Sequence, residues 1–527
     1  MGLSSQRHLF EPEHLLPEGF IPADSFYGVL AQWGERLLPR SLFDDLYKNR
    51  QTGRPEVDPA MLCKALLLQF YEDVSDREAE QRARYDLRWK HALGIPLDEA
   101  RLDHVTLCRF RARLLTVDGG RRIFERVLQL AVEAGLIQAD AARVIDSTHV
   151  LGAGAVQDTY TLLRKALRKV VARVRDGRPD LWEQIKPLLH RSEDYERQDD
   201  RKPEIDWSDP DARQTLLNEF VADARRVLDA LGGQDLPAEL RDAVALLADV
   251  TDQDIEEQAD GRVRIRQGVA KDRVISVTDP EMRHGHKSSK GRFDGYKAEV
   301  AADPDSELIT SVAVLPGNAP DAAAVSRMLD QEAASGLHAS EWIGDTAYGS
   351  GELRAELAAR KIEVVAPTPP VPNRNGLYAK TDFAIDLDAE TCRCPAGHLA
   401  AKIHRRKDGS LRAFQFAGTL CSQCPLQPQC TRTPAKGRIV TVHRRERLLQ
   451  QARALEQTDA FKRRYRQRPK IERKLAEMLR HGLRQARYLG AVKVTLQVQL
   501  IAAVVNLKRT WRLMQRQPNK AAGLAAA

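Results

Sequence analysis

The spacing of apolar residues changes character several times along the chain. Up to about residue 140 it is helical: Leu62, Leu66, Leu67 and Tyr71 fall on one face. Asp58-Pro59 before them supplies an N-cap carboxylate and a proline at the first helical position. Ser75-Asp76-Arg77-Glu78 has the reciprocal capping pattern of a second helix running through Tyr85 towards Trp89, and Asp103-His104-Val105-Thr106 opens a third. Between Ala139 and Val150 the pattern becomes a β-branched run, in which Arg143-Val144-Ile145-Asp146-Ser147 reads as a buried strand delivering one carboxylate to an edge. Residues 155–270 return to long, charged helical segments, a helical insertion after that strand.

Strand signals resume at Arg273–Thr278 and in the alternation Gly295–Ala302. The turn Asp303-Pro304-Asp305 and the return at Leu308–Leu315 predict an antiparallel hairpin. A helix through Met328 follows, then a strand Glu341-Trp342-Ile343-Gly344 ending at Asp345, a helix over Gly351–Arg360 and a strand at Ile362–Ala366. This is an α/β order with a mixed sheet flanked by helices. It matches the ribonuclease-H-like core, in which the first and fourth strands each present an acid to one metal site, although other α/β folds share the order. Near the C-terminus Tyr465, Arg468 and Glu472 stand at i, i+3 and i+7, the spacing of one helix face, with Pro469 placing the helix start near Arg468. Val492–Leu507 reads as an apolar helix packed on a sheet.

Five segments follow: an all-α N-terminal DNA-binding domain (1–138), a first part of the catalytic core (139–370), a small Cys-rich, zinc-ribbon-like insertion (371–455), a helical C-terminal part of the core carrying Glu472 (456–515), and a disordered tail (516–527).

Charge sharpens this picture. The chain of 527 residues has a formal net charge of +8, but residues 431–527 hold 24 Lys or Arg against 5 Asp or Glu. A basic end on a mildly acidic body points to a polyanion partner, nucleic acid before others, with a solvated helical surface as the alternative. The loop Arg283–Arg292, rich in Gly and Ser, offers Lys287 and Lys290 to phosphates, or is simply solvated. The cationic third helix suits a helix-turn-helix-like reader with Thr106, Arg109 and Arg113 at the contacts; a packing or dimerisation role is the alternative. No apolar run reaches the roughly 18–20 residues that span a bilayer, and Met1–Phe10 lacks the form of a signal peptide. A cytoplasmic, nucleoid-associated protein without membrane contact is expected.

Five of the seven cysteines crowd into residues 392–430. Cys392-x-Cys394-Pro395 and Cys421-x-x-Cys424-Pro425 flank a hairpin-like segment, with Cys430 beyond, as in a chain wrapped around a structural Zn²⁺. Cys394, Cys421, Cys424 and Cys430 are the expected ligands, with Cys392 left out and His398 as a substitute. In such a module metal would supply much of the folding free energy.

Asp146, Asp345 and Glu472, two at strand ends and one on a cationic helix, form the donor set of a two-metal phosphodiester reaction, in which two Mg²⁺ or Mn²⁺ ions require hard oxygen ligands. Alone, Glu472 would read as a surface ion pair with Arg468 or Lys474. Taken together, these motifs resemble the bacterial insertion-sequence transposases of the DDE class, and the resemblance covers most of the chain. The N-terminal helices with Asp58-Pro59 and Trp89 look like that group's N-terminal domain. Thr278-Asp279-Pro280 and Asp294-Gly295-Tyr296-Lys297 are similar to central segments, and Asp345-Thr346-Ala347-Tyr348 to the motif around the second acid. The cysteine segments resemble an insertion of one subgroup. The third-acid motif of the family runs Tyr, two residues, Arg, three residues, Glu, six residues, Lys; Tyr465, Arg468 and Glu472 fit, while Leu479 stands at the Lys position with Arg480 next to it. The resemblance implies Asp146, Asp345 and Glu472 as metal ligands, Tyr465 and Arg468 as DNA-end contacts, and a homodimer holding two ends. The expected activity is cleavage at terminal inverted repeats and joining to target DNA. A non-transposing nuclease and an inactive DNA-binding descendant are the alternatives.

Overall fold

The computed structural model describes residues 15–46, 57–197, 199, 201–258, 262–286, 291–371 and 376–517. Among these, six α-helices precede the first strand: α1 (Phe26–Leu37), α2 (Pro59–Glu72), α3 (Asp76–Tyr85), α4 (Leu87–Leu93), α5 (His104–Thr116) and α6 (Gly119–Glu133). The caps form as the sequence predicts. Asp58 accepts from the N–H groups of Ala60 and Met61, and Ser75 and Glu78 close a reciprocal capping box. Asp103 caps α5 through the Thr106 N–H and also accepts from the Thr106 hydroxyl, so Thr106 serves the cap.

β1 (Asp140–Leu151) leads into the helical insertion: α7 (Thr159–Gly177), α8 (Pro179–Ile185), α9 (Ser192–Glu196), α10 (Pro210–Leu231) and α11 (Ala238–Asp254), closed by the hairpin β2 (Ile255–Glu257) and β3 (Val263–Ile265). Leu167, Trp182, Phe220 and Leu247 belong to a core of its own. The strand expected at Arg273–Thr278 is not one. Its apolar residues are buried, but two glutamine side chains meet its backbone donors: Val274 N–H donates to Gln253 Oε1 (2.8 Å) and Val277 N–H to Gln157 Oε1 (3.0 Å). The buried apolar run is real, yet glutamine side chains stand where a sheet neighbour would.

The central sheet contains β4 (Arg283–His286), β5 (Arg292–Ala302) and β6 (Ile309–Pro316), then β7 (His338–Ile343) after α12 (Val325–Ala334), and β8 (Glu363–Val365) after α13 (Gly351–Ala359). β5 is antiparallel to β1 on one side and to β6 on the other, whereas β7 is parallel to β1 and β8 to β7. The spatial order β6-β5-β1-β7-β8, with β4 beside the start of β5, is a mixed sheet consistent with the expected ribonuclease-H-like arrangement.

Strand alternation sorts the side chains onto two faces. Ile145, Ala301, Ala313 and Trp342 pack against α12 and α13. Val144, Val300, Val314 and Ile343 point the other way, into a cluster containing the N-terminal helices as well. The predicted boundary at residue 138 therefore separates two segments that share one core. Arg143, fully buried, ties β1 to α12 through Glu332 (3.2 Å) and to the turn after β5 through Asp303 (3.6 Å).

The Cys-rich segment is a small β piece: β9 (Ala384–Asp386) pairs with β10 (Thr391–Arg393), while β11 (Lys402–Arg405), β12 (Leu411–Gln415) and β13 (Ile439–Thr441) form a three-stranded sheet. Phe383, Phe414, Phe416, Val440 and Val442 give it an apolar core, more than the sequence suggested.

The chain ends in α14 (Gly418–Ser422) and α15 (Gln427–Cys430) of that segment, then α16 (Glu446–Glu456), α17 (Asp459–Tyr465), α18 (Pro469–Arg480) and α19 (Ala491–Arg516). By length and composition α19 could cross a membrane, but 72% of its apolar window is buried inside the protein. Within it, Asn506 accepts from the Ile309 N–H (2.8 Å) and donates to the Ile309 carbonyl (2.7 Å), satisfying the first residue of β6.

Candidate active site

β7 runs beside β1 only as far as the pair Val144–Ile343; beyond it β1 keeps β5 on one side, and the other side stays open until Leu151 bridges Gln485. Asp146 thus lies in mid-strand, not at the strand end that the sequence suggested, but at the point where one partner leaves. Asp345, two residues past Ile343, starts the turn after β7 and accepts from the Ala347 N–H (2.8 Å). Both aspartates have the strand parity of Val144 and Ile343, so they face α18.

The third acid arrives at a corner. Tyr465 ends α17, Arg468 is the N-cap of α18, and Glu472 sits in its first turn. The helix starts at Arg468 with Tyr465 before it, as Pro469 predicts, so the three do not share one helix face as their spacing alone suggests; the corner itself brings them together. The Arg468 guanidinium lies between two of the acids, donating to Asp146 Oδ2 (3.0 Å) and to Glu472 Oε1 (2.7 Å). Its Nε is enclosed without a partner.

These groups sense one another. Burial raises the Asp146 carboxyl above its ordinary value; the Ser147 N–H and Arg468 oppose this, while Asp345 and Glu472 add to it. Tyr465 is raised by burial and by the same three acids, against Arg468. For Arg468, burial is outweighed by Asp146, Tyr465, Glu472 and Asp345, which strengthen its hold on the proton. Converging carboxylates with one cation among them suit a divalent ion in donor type, since oxygen ligands fit Mg²⁺ or Mn²⁺. Among the described residues, no three His, Cys, Asp or Glu side chains stand close enough to form a ready metal cage.

The other expected contacts are dispersed. Arg480 is exposed at the far end of α18, about 12 Å along the axis from Glu472. Arg109 and Arg113 are exposed one turn apart on α5, whose opposite face buries Leu107, Phe110 and Leu114. Lys287 and Lys290 lie outside the described residues.

Cys394, Cys421, Cys424 and Cys430 line one cavity of about 30 Å³ together with His398. The Cys430 thiol is raised by burial, lowered by Arg438, and raised again by those three cysteines. Cys392 points into the aromatic core instead, fully buried, with its thiol pushed up to about 11 by burial and then by Cys394.

Sequence reading missed the polar residues behind the aspartates. Ser147 donates to Asp321 Oδ2 (3.1 Å), and Lys297 donates to Asp321 Oδ1 (2.5 Å) and to the Ala319 carbonyl (2.8 Å). Their alternation with apolar residues reads as a solvent face, whereas the segment 319–324 meets it. Arg464 joins α17 to the sheet through Glu341 (3.0 Å) and Glu363 (2.6 Å), a link that the run of arginines disguised.

Comparison with protein families gives two matches. Residues 17–113 match the family described as Transposase domain (DUF772), and residues 393–511 match Transposase DDE domain. Both matched families are transposase families, which indicates an insertion-sequence DDE transposase. The second match contains Tyr465, Arg468 and Glu472 along with the four cysteines of the cavity, whereas Asp146 and Asp345 lie between the matched segments. No curated protein and no solved structure matches the chain.

Proposed function

We propose that this transposase binds the terminal inverted repeats of its own element, cleaves phosphodiesters at the ends to free 3′-hydroxyls, and joins those to target DNA. What supports the reading is that Arg468 joins Asp146 to Glu472, while Asp345 stands on the same side of the sheet, two residues past the last register pair of β1 and β7. Their oxygens would hold two Mg²⁺ or Mn²⁺ ions. Bound there, such ions would activate the attacking oxygen and relieve charge on the leaving oxygen. Arg468 would exchange the acids for a DNA phosphate, a contact its planar fork suits, and the Tyr465 hydroxyl would orient the same strand end. The surrounding basic residues, with Arg480 further along α18, would guide the backbone, while Arg109 and Arg113 on α5 and the Lys287–Lys290 loop would grip flanking duplex. Holding two ends together calls for a homodimer. The reading places the enzyme with the bacterial chromosome in the cytoplasm, without membrane contact.

Structural Zn²⁺ in the Cys-rich segment belongs to the same reading. Four cysteines lining one cavity support it, with Cys394, Cys421, Cys424 and Cys430 as ligands. The domain division at 138, 370, 455 and 515 is kept as a functional one.

The test uses duplexes carrying the inverted repeats that flank the reading frame. Wild-type protein with Mg²⁺ is expected to nick them and to form strand-transfer products, and Asp146→Asn, Asp345→Asn and Glu472→Gln to bind the duplex without cutting. Cleavage without strand transfer would identify a nuclease; full cutting by any one of the variants would remove that acid from the site.

A further inference from the structure

Tyr348 closes the turn that begins at Asp345, and its side chain folds back under that turn, fully buried. The fold depends on Gly344: a Cβ there would stand 2.6 Å from the Tyr348 ring. Gly349 fixes the other side, since a Cβ on it would stand 1.8 Å from the Pro367 carbonyl oxygen. The ring therefore has one place to go, and its hydroxyl meets Glu299 Oε2 in a short hydrogen bond.

Glu299 lies in the middle of β5, fully buried, and is the register partner of Ser147, the residue after Asp146. Its carboxyl thus passes behind β1 to reach the turn after β7. The bond spans three adjacent strands on the face opposite the carboxylates, joining the neighbour of one aspartate to the turn of the other. The other Glu299 oxygen, Oε1, is buried with no partner. An ionised carboxylate would be costly there. Burial raises the group to about 8, with the Tyr348 hydrogen bond and Lys297 opposing and Asp321 and Asp146 adding, so Glu299 is mainly neutral at pH 7.

We propose that Glu299 and Tyr348 form a brace behind the sheet that sets Asp345 relative to Asp146, which makes both of them positioning residues for the acidic pair. The inference rests on the reading of those aspartates as metal ligands. Neither brace residue touches the reacting atoms. A ligand pair supplied by a strand and a loop needs such support, because loops hold geometry less tightly than strands, and residues behind metal ligands commonly change metal affinity by 10- to 100-fold.

The experiment measures Mn²⁺ binding to the full-length protein by electron paramagnetic resonance of the free ion, alongside thermal unfolding, for Glu299→Gln, Glu299→Leu, Tyr348→Phe and the Glu299→Leu/Tyr348→Phe double variant. Glu299→Gln keeps a neutral acceptor and is expected to bind Mn²⁺ as wild type does. Glu299→Leu and Tyr348→Phe are expected to bind on the order of 10-fold more weakly. The double variant is expected to bind no more weakly than either single one, because both remove the same bond. Wild-type affinity in Tyr348→Phe, additive losses in the double variant, or a Glu299→Gln as weak as Glu299→Leu would overturn the brace. Asp345→Asn separates the two levels. If it loses Mn²⁺ binding while Tyr348→Phe keeps it, the brace alone fails; if it binds as wild type, the reading of the acids fails and the brace with it.

Discussion

Asp146 and Asp345 each stand two residues beyond the same register pair, Val144 and Ile343, where two parallel strands part. Strand alternation then turns both carboxylates to one side, and α18 brings Arg468 and Glu472 to meet them. A parallel pair that splits after its last shared residue is a simple means of opening a polar site at a sheet edge.

Arg468 carries the first prediction. Its guanidinium joins Asp146 and Glu472. Arg468→Ala is expected to lower stability in EDTA by about 1–2 kcal/mol, a value discounted for the exposure of Glu472. Mg²⁺ is expected to recover more stability in the variant than in wild type, since the carboxylates no longer have a competing cation. Equal Mg²⁺-induced shifts in melting temperature would count against this account.

A second prediction concerns acid. Although burial opposes ionisation of Glu477, Lys474 and Lys508 take its carboxyl down to about 2. A depressed acid stabilises the fold above its unfolded value near 4.5 and loses that contribution as pH falls through 2. The loss is on the order of 3 kcal/mol across pH 4.5 to 2, in the contact between α18 and α19. Glu477→Gln should flatten unfolding free energy against pH over that window.

Arg143 gives a third. Its charge is buried with Glu332 and Asp303 at the start of β1. Arg143→Ala leaves two buried carboxylates short of a cation and is expected to cost about 3–5 kcal/mol in urea unfolding. The triple change Arg143→Met, Glu332→Gln, Asp303→Asn should cost much less, because no unpaired charge remains.

The cysteines provide a fourth. Purified protein should carry about one Zn²⁺ per chain, measured by elemental analysis, and Cys424→Ser should lose it. Cys392→Ala should retain the metal while lowering stability through the aromatic core. Metal-free wild-type protein with an unchanged melting temperature would leave the cavity as an ordinary thiol cluster.

Much of this was legible from the residues. Caps at Asp58 and Ser75 are local chemistry, and the hairpin after Ala302 follows from its turn. Asp146 and Asp345 stand out in the sequence because apolar strand-like runs lead into them. Other features depended on contacts distant in sequence. Arg273–Thr278 has the composition of a strand, but whether a neighbouring chain or a glutamine side chain meets its N–H groups is settled by packing. Lys297 and Glu299 alternate with apolar residues in a way that marks a wet face, and only the turns carrying Asp321 and Tyr348 cover it. Pro469 was visible, yet a sharp corner that gathers Tyr465, Arg468 and Glu472 requires the rest of the fold to hold it.

The core shared by the N-terminal helices, the sheet and α19 has a mechanical consequence. Helix α5 is no hook on a tether; its spacing from Asp146 is set by packed side chains rather than by a linker. Any duplex gripped by α5 would meet the acids at a constant number of base pairs from the gripped site, so the protein interior itself would act as a ruler for where the strand is cut.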